Sequence, residues 1–598
     1  MRSQLLALGA LALSAAGLVT ADIEVDTLVS RRLQKRFIDD SGNYNISFYH
    51  INDVHAHLDQ FRSSGTDCTN PAQGCYGGYS RVKEVVDQTR PNHKDSLLLN
   101  AGDEFQGTLF YSFYGGEKIA DTLNQLGFDA MTVGNHEFDA GDDVLAAFIK
   151  NLTFPVTSCN IHTDNKALNE SLVPYVIFKD HSLAVLSVTT TTTTHISNPG
   201  DGTHFEDPVT ALQRTVDLVK SKENVTRIVA LTHIGYDEDI KLAQKTKGIH
   251  LIIGGHSHTL LGDMEGARGK YPTVELNQDG DEVFIVTAYR WGEYLGYIDV
   301  AFDPEGKIVS YHGAPIHLDN TTTQDPGLQA QANAWRTPFE KFAAEVVGES
   351  KVVLEQGTCQ KEECTLGDFM ADAMLDYRIG GNPDVTGVII NAGGVRATID
   401  EGQITRGEVL TAFPFGNAVV ELKFTGKELW DIFEGIVTGV SVFNNEEVTS
   451  FVQVSKGIKI TYNPKNSGGT KLISLELGGS PVDLTKSYTI VTLDFLAGGG
   501  DNFWPTRTEF VTLDTQDEVL GMYIEKSTPV DIKLDGRISI TNETKPAGNG
   551  PSATTAAPNN TISATSSPSP TDTGAAVMVS GEWSLIAAAV VGAVMCIL

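Results

Sequence analysis

Five short apolar runs in the first half of this chain each end at residues that can bind a metal ion. Their β-branched and aliphatic residues are typical of buried strands. The runs with the residues that follow them are Ile46–Ile51 before Asn52-Asp53-Val54-His55, Leu97–Leu99 before Ala101-Gly102-Asp103, Met131–Val133 before Gly134-Asn135-His136-Glu137, Ile228–Leu231 before His233, and Leu251–Ile253 before Gly254-Gly255-His256-Ser257-His258. The pattern predicts an α/β fold in which neighbouring strand ends bring these side chains together.

The candidate ligands are imidazoles, carboxylates and one amide, which favours divalent metal ions and excludes a thiolate site. These seven residues are Asp53, His55, Asp103, Asn135, His233, His256 and His258. A single histidine after a strand is more often structural, but five such sites in one domain favour a metal centre. One zinc ion takes about four ligands, so the set favours two ions that share a carboxylate, with Asp103 as the bridge. We expect zinc, with manganese, magnesium, cobalt and iron as alternatives.

Length and charge limit the remaining possibilities. A chain of 598 residues is long enough for about two to four folded units. The formal net charge of −32 argues against a nucleic-acid partner, because binding a polyanion requires a basic face. An anionic small substrate would instead need a local positive site.

The pattern of apolar runs, loops and helical stretches predicts two domains joined by a helix. Residues 44–325 alternate β-like runs with helical stretches such as Asp207–Lys222, which is typical of an α/β domain. Residues 326–350 have helical periodicity and are predicted to form a linking helix. A second α/β domain is expected over 351–541.

Several of these motifs resemble those of the calcineurin-like metallophosphoesterases, and more narrowly those of the secreted 5′-nucleotidases. The resemblance extends to motifs of the second half and covers about residues 44–541. The motifs are Asn52-Asp53-Val54-His55, Gly102-Asp103, Gly134-Asn135-His136-Glu137-Phe138-Asp139, His233, Gly254-Gly255-His256-Ser257-His258, Asn391-Ala392-Gly393-Gly394-Val395-Arg396, Pro414-Phe415-Gly416-Asn417 and Phe495-Leu496-Ala497-Gly498-Gly499-Gly500-Asp501. It implies a metallophosphoesterase β-sandwich flanked by helices, followed by an α/β nucleotide-recognition domain.

The resemblance also implies roles for individual residues. One metal ion would be bound by Asp53, His55, Asp103 and His258, and the other by Asp103, Asn135, His233 and His256. His136 and Asp139 match the catalytic dyad. Phe415 and Phe495 would sandwich the base across about 7 Å, twice a stacking distance of about 3.5 Å. The remaining substrate-binding residues would be Asn391, Arg396, Asn417 and Asp501.

One position departs from the family pattern. Family members usually have an arginine in the segment before Leu366-Gly367-Asp368, where this chain has Gln360 followed by Lys361. Gln360 leaves the choice among nucleoside mono-, di- and triphosphates open.

The site is predicted to be divided between the domains. Every expected metal ligand precedes residue 260 and every expected nucleoside contact follows residue 390. Catalysis then requires the second domain to carry the base to the metals, by a hinge near Glu345–Lys351. We expect a ligand-free molecule to be open, with Phe415 far from Asp103.

Both ends of the chain carry patterns of secretion and anchoring. Residues 1–21 are predicted to be a secretory signal peptide. Residues 545–576 are expected to form a Ser/Thr/Pro-rich stalk. Residues 577–598 are expected to be a removed glycosylphosphatidylinositol (GPI) signal, with a spanning tail helix as the alternative. Sequons occur at Asn45, Asn151, Asn169, Asn224, Asn320, Asn542 and Asn559. We therefore expect an extracellular, GPI-anchored glycoprotein, at the cell surface or shed from it.

Four of the six cysteines form two close pairs. Cys68 with Cys75 and Cys359 with Cys364 are predicted to be small disulfide loops of an oxidising compartment. Cys159 is expected to be free and buried.

The function implied by the resemblance is hydrolysis of nucleoside 5′-monophosphates to nucleoside and phosphate. Apyrase, UDP-sugar hydrolase and 2′,3′-cyclic phosphodiesterase activities are alternatives within the family. A surface adhesion protein on an inactive enzyme fold is the alternative from another class; lost ligands would mark it, and none is lost. The expected partner is a small nucleotide, and the sequence does not indicate an oligomeric state.

Overall fold

The computed structural model describes residues 42–68, 74–507, 510 and 513–543. The predicted signal peptide, stalk and GPI signal lie outside these residues. No helix among the described residues is long and apolar enough to cross a membrane.

The described part of the N-terminal half contains sixteen strands and nine α-helices. The strands are β1 Tyr44–Ile51, β2 Ser96–Asn100, β3 Ala130–Thr132, β4 Val156–Thr157, β5 Ile161–Thr163, β6 Leu172–Val173, β7 Tyr175–Phe178, β8 Leu183–Thr189, β9 Thr203–Phe205, β10 Arg227–His233, β11 Leu251–Gly254, β12 Thr273–Leu276, β13 Glu282–Val286, β14 Tyr294–Phe302, β15 Ile308–Gly313 and β16 Ile316–His317. The helices are α1 Tyr79–Thr89, α2 Leu109–Tyr114, α3 Glu117–Leu126, α4 Asp142–Asn151, α5 Lys166–Ser171, α6 Thr193–Ile196, α7 Pro208–Lys222, α8 Tyr236–Lys245 and α9 Pro326–Ala343.

Two sheets form the predicted sandwich. One runs in the order β15-β14-β1-β2-β3-β4-β6 with β16 beside β14, and the other in the order β12-β13-β11-β10-β8-β7. Alternate residues of both sheets meet in a shared core that includes Phe48, Leu97, Val185, Val229 and Leu251, as expected for sandwich strands buried on both faces. Helices cover the outer faces, and α7 confirms the helix predicted at Asp207–Lys222, with the Asp207 side chain capping Thr210 N–H.

The predicted linking helix is shorter than expected. Helix α9 begins after Asp325, whose side chain caps Leu328 N–H, and ends at Ala343. The rest of the predicted segment forms a strand, β17 Val346–Ser350, which pairs antiparallel with β19 Gly402–Thr405. The prediction of helix to residue 350 is wrong beyond Ala343, because β-branched Val346 and Val347 favour the pairing with β19.

The C-terminal half is a mixed α/β unit. Its other strands are β18 Val385–Asn391, β20 Val419–Thr425, β21 Val452–Val454, β22 Ile458–Tyr462, β23 Leu472–Leu477, β24 Ser480–Pro481, β25 Ser487–Leu493 and β26 Ile538–Ile540, and its helices are α10 Thr365–Ile379, α11 Arg406–Ala412, α12 Gly426–Thr438, α13 Asp494–Ala497 and α14 Gln516–Ser527. Two four-stranded sheets, β20-β25-β18-β21 and β24-β23-β22-β26, form its frame.

Both predicted disulfides are present. Cys68 pairs with Cys75 and Cys359 with Cys364. Cys159 is free and buried, as expected.

Candidate metal centre

The five predicted strand ends lie in both sheets of the sandwich. Strands β1, β2 and β3 are parallel neighbours in one sheet, and β10 and β11 are parallel neighbours in the other. Their carboxyl ends meet along one edge, so the residues that follow them come together from two sheets. The expected convergence is confirmed by two clusters of ligand atoms, within 4.8 Å of one another in each cluster.

The first cluster contains Asp53, His55 and His258. Nδ1 of His55 donates to the Phe105 carbonyl at 3.1 Å, so Nε2 keeps its lone pair. That Nε2 lies 2.9 Å from Nε2 of His258, which is 3.5 Å from Asp53 Oδ1. A lone pair facing a second ring nitrogen and a carboxylate fits a site that holds a cation.

The second cluster contains Asp103, His233 and His256. Nδ1 of His233 donates to the Ala101 carbonyl at 2.6 Å, which turns Nε2 toward Asp103 Oδ2, 3.0 Å away. Asp103 also lies 4.0 Å from His55 Nε2 in the first cluster. It is therefore the carboxylate placed between the two clusters.

Asn135 supplies a further oxygen beside the second cluster. Its neighbour His136 donates its N–H to Asp103 Oδ1 at 2.9 Å. Oδ1 of Asn135 is buried and has no hydrogen-bond partner among the described residues. Such an oxygen is costly to bury unless it binds something. The donor set therefore fits divalent ions.

Backbone conformation holds these ligands in unusual positions. Asp53, His55, Asp103, His256 and His258 all have positive φ, between 48° and 82°. Each such residue costs of order 1 kcal/mol or more, and this strain concentrates at functional sites. Close approach is also required, because a Cβ on Gly134 would lie 2.2 Å from Asp103 Oδ1. The sequence indicates this crowding only through the glycines beside the ligands.

Glu137 fixes the Asp103 loop, a role that the sequence analysis missed. Its buried carboxylate accepts N–H groups from Asp103 at 3.0 Å, Glu104 at 2.7 Å, Phe105 at 3.2 Å and Gly134 at 2.7 Å. One side chain thus aligns the loops after β2 and β3. Its place in the Gly-Asn-His-Glu motif was the available signal.

Burial and charge shift the pKa values of the ligands. Burial raises the pKa of Asp53 to about 7 and lowers that of His256 to about 3. Burial alone would also lower the pKa of His233, but the Asp103 charge and hydrogen bond raise it to about 10. The carboxylates of Asp103 and Asp53 therefore create a negative electrostatic potential at His233.

His136 and Asp139 form the predicted pair beside the clusters. Nδ1 of His136 lies 2.7 Å from Asp139 Oδ2, and Ser197 donates to the other oxygen at 2.7 Å. Burial opposes protonation of His136, but the Asp139 charge raises its pKa above the ordinary value. A ligand atom of His136 also lies within 4.8 Å of His55 and Asp103. The ring is therefore close enough to exchange a proton with a group at the clusters.

The C-terminal half reaches this centre directly. Nη2 of Arg396 lies 3.4 Å from His55 Nε2. The Phe415 ring stacks on His136, with centroids 5.8 Å apart and planes 28° from parallel. The expectation of an open molecule with Phe415 distant is therefore wrong for this structure. Contacts between the halves hold it closed, including Arg62 bound to Asp400 and Glu408.

The other predicted substrate residues lie in one region of the C-terminal half. Asn391 donates to Asp501 Oδ2 at 2.7 Å, and Oδ1 of Asn391 is buried with no hydrogen-bond partner among the described residues. The Phe495 ring packs on Gly500, next to Asp501. Both Phe415 and Phe495 are half-buried. Their facing separation of about 7 Å stays a prediction.

Two further positions singled out in the sequence, Asn417 and Gln360, make hydrogen bonds within the C-terminal half. Asn417 follows the Phe415 loop, and its carbonyl accepts from Gln516 N–H at 2.8 Å. Gln360 is exposed, and its Oε1 accepts from Phe451 N–H at 3.0 Å. The substrate role of Asn417 stays a prediction, and Gln360 still leaves the choice among nucleoside mono-, di- and triphosphates open.

Two family models match the chain. The calcineurin-like phosphoesterase model matches residues 46–260, and the 5′-nucleotidase C-terminal domain model matches residues 346–508. The first contains all the expected metal ligands, and the second contains the expected nucleoside contacts.

Relatives and solved structures agree with these models. The 5′-nucleotidase of Homo sapiens is 33% identical over 83% of this chain and 91% of its own length. The snake venom 5′-nucleotidase of Naja atra is 33% identical over 83% of this chain and 99% of its own. The crystal structure of a 5′-nucleotidase precursor from Thermus thermophilus matches with a TM-score of 0.77 and 32% identity, covering 84% of this chain and 100% of that one.

The two ligand clusters, the His136–Asp139 dyad and the length of the match all indicate the same family of enzymes. An inactive fold would have lost ligands, whereas every expected ligand is present and all but the Asn135 amide lie in the two clusters. The chain therefore belongs to the 5′-nucleotidase family and is a metal-dependent phosphoric monoester hydrolase.

Proposed function

We propose that this protein is an extracellular 5′-nucleotidase that releases phosphate from nucleoside 5′-monophosphates with two divalent ions, of which zinc is the expected one. The observation that carries the proposal is the junction of two ligand clusters at Asp103, with His136, Arg396 and Phe415 packed against it. Metal-binding, acid–base, anion-binding and base-stacking groups then surround one point.

The ligand assignment follows the clusters. Asp53, His55, Asp103 and His258 would hold one ion, and Asp103, Asn135, His233 and His256 the other. Bound divalent ions would polarise the phosphate ester and provide a nucleophilic water at neutral pH. The carbonyl acceptors on His55 and His233 hold a proton on each Nδ1 and aim Nε2 at the centre, where a bound metal ion would take the Nε2 lone pair.

The chain's own groups would carry the remaining steps. Arg396 would bind phosphate oxygens through its planar fork of donors. His136 would donate a proton to the leaving oxygen or stabilise its charge, while Asp139 orients the ring. A positioned acid of this kind accounts for a rate gain of roughly 10²–10⁴-fold.

Nucleoside recognition would come from the C-terminal half. Phe415 and Phe495 would stack on the base. Asp501 would accept hydrogen bonds from the ribose hydroxyls, and the unpartnered Oδ1 of Asn391 would face the base. Burial raises the pKa of Asp501 to about 6, so its carboxylate would be mostly ionised at neutral pH.

The extracellular part of the proposal rests on different support. The terminal sequence patterns favour secretion and a GPI anchor. The two disulfides fit an oxidising compartment.

A phosphate-release panel tests the proposal. The purified protein is stripped with a chelator, reloaded with zinc, manganese, magnesium or cobalt, and given 5′- and 3′-monophosphates, di- and triphosphates, UDP-glucose and 2′,3′-cyclic nucleotides. We expect the highest kcat/KM on 5′-monophosphates and none without metal. A clear preference for diphosphates, UDP-glucose or cyclic nucleotides would replace the proposed substrate, and full activity without metal would refute the mechanism.

A further inference from the structure

Arg290 lies beside the first metal-ligand cluster and has no place among the residues assigned above. It follows β13 in a turn whose flanking residues are strained, since Tyr289 and Trp291 have φ values of 63° and 59°. Strain of this kind persists only where surrounding contacts hold it.

Those contacts tie the turn to a metal-ligand loop. Nδ2 of Asn52 donates to the Tyr289 carbonyl at 2.7 Å, and Trp291 N–H donates to the Asp53 carbonyl at 2.7 Å. The backbone on both sides of Arg290 is therefore fixed relative to Asp53.

The guanidinium of Arg290 packs against aromatic rings. It stacks over the Trp291 ring at 3.8 Å and lies 5.2 Å from the Tyr289 ring centroid. Its Nε is buried with no hydrogen-bond partner, and it forms no ion pair within the part of the chain that the structure describes. By contrast, Arg62 and Arg336 each bind two carboxylates. Arg290 is half-buried as a whole, and its buried Nε–H is costly unless it binds an acceptor such as a phosphate oxygen.

The positive charge of Arg290 affects the pKa values of residues at the first metal-ligand cluster. After burial and His55, the charges of Arg396 and Arg290 lower the pKa of His258. Arg290 also lowers the pKa of Arg396, where burial is again the largest cause. Geometry places both arginines at this cluster: Nη2 of Arg396 lies 3.4 Å from His55 Nε2, and the backbone next to Arg290 is hydrogen-bonded to the Asp53 carbonyl. The two arginines therefore approach the same ligand cluster from opposite halves of the chain.

We propose that Arg290 is a phosphate-binding residue that, together with Arg396, holds the phosphoryl group of the substrate at the Asp53–His55–His258 cluster. The proposal rests on the function proposed above and adds a phosphate contact from the N-terminal half. A charge-assisted hydrogen bond to phosphate accounts for about tenfold to a hundredfold in affinity.

Titration calorimetry on the metal-loaded protein tests this contact without turnover. Inorganic phosphate and adenosine are titrated separately into the wild type, Arg290→Ala, Arg290→Gln and Arg290→Lys. Arg268→Ala is the control, because Arg268 also lies over an aromatic ring, Tyr236, but pairs with Asp237. We expect Arg290→Ala and Arg290→Gln to weaken phosphate binding at least tenfold and adenosine binding less than twofold. Arg290→Lys should retain part of the affinity, and the control all of it.

Unchanged phosphate affinity in Arg290→Gln would overturn the proposal. Equal weakening of phosphate and adenosine would also overturn it, because a role in loop structure predicts that result. If Arg290→Ala fails to fold, Arg290→Gln and Arg290→Lys decide. Failure of the nucleotidase proposal would appear instead in the wild-type substrate panel. That panel compares substrates on the wild type alone, so its outcome does not depend on the phosphate affinity of the Arg290 variants.

Discussion

Asp103 contacts both ligand clusters of the metal centre and the backbone of the dyad residue His136. It lies 3.0 Å from His233 in one cluster and 4.0 Å from His55 in the other, and its backbone has a positive φ. Its carboxylate also accepts the His136 N–H. The geometry of both clusters and of the dyad therefore depends on this one side chain.

Replacing Asp103 with asparagine tests the bridge. An amide keeps an oxygen for the His136 N–H, so the fold should survive, but it supplies less charge to each ion. We expect kcat/KM for a 5′-nucleotide to fall about 100-fold or more, since Lewis-acid stabilisation contributes several kcal/mol. Asp121→Asn, on the exposed face of α3, should be unaffected. Wild-type rates in Asp103→Asn with a full metal content would contradict the bridging role.

Glu137→Gln tests the support of that bridge. Glutamine has one carbonyl oxygen where the carboxylate accepts four backbone N–H groups, so at least one N–H loses its acceptor. We expect a loss of about 1–3 kcal/mol in the free energy of unfolding and about 10–100-fold weaker metal binding. Denaturant melts and metal titration measure both. Glu340→Gln, exposed on α9, is the control. If Glu137→Gln and Glu340→Gln have the same stability and the same metal affinity, Glu137 does not support the Asp103 loop.

At the scale of elements, the strand ends were predictable and their surroundings were not. Each apolar run that precedes a ligand forms a strand, because a short apolar run bounded by polar or turn-forming residues is typical of a buried strand. The end of α9 at Ala343 was missed, since the pairing of β17 with the distant β19 outweighs local periodicity. The support that Glu137 gives to the Asp103 loop was missed because it depends on contacts between separate loops, which its place in the motif does not specify.

A buried acidic cluster joins α10 to the segment before β26. Three backbone N–H groups, from Asp535, Gly536 and Ile538, donate to the Glu363 carboxylate. Asp368 lies beside it, fully buried. Arg537 binds Asp372 and Asp535 at 2.9 Å, and its Nε lies farther, 3.5 Å, from Asp368 Oδ2. Burial raises the pKa of Asp368 to about 8, although the Arg537 charge opposes the rise. In the folded protein Asp368 is therefore mostly protonated at neutral pH, which removes a negative charge from this buried cluster.

That proton makes stability depend on pH. Below about pH 4 Asp368 is protonated whether the chain is folded or not. Between about pH 4 and 8 only the folded state keeps the proton, so this contribution to the free energy of unfolding falls as pH rises. Asp368→Asn mimics the protonated form at every pH. We expect it to match the wild type near pH 4 and to exceed it by more than about 1 kcal/mol at pH 8. Denaturant melts across this range check the prediction, and a variant less stable at pH 8 would contradict it.

At the scale of the whole molecule, the closed arrangement places the substrate groups of the C-terminal half on the metal centre. Arg62 binds Asp400 and Glu408, and His195 lies 3.4 Å from Glu446 across the same boundary. Phe415 covers His136. Since substrate would enter between these groups, we expect the contacts to separate during turnover.

The anchoring proposal is tested on whole cells. Phosphatidylinositol-specific phospholipase C should release active enzyme from cells that express the full chain, because a GPI anchor is held by lipid alone. Phosphate release in the supernatant measures it. A membrane fraction that resists the lipase would favour a spanning tail instead.

The most direct test of the account is to count the metal ions that activity requires. Chelated protein is titrated with zinc, and bound metal and phosphate release from a 5′-nucleotide are measured at each step. Because Asp103 joins two complete ligand clusters, we predict that activity reaches its maximum only at about two bound ions per chain. Full activity at one bound ion per chain would contradict the two-metal centre.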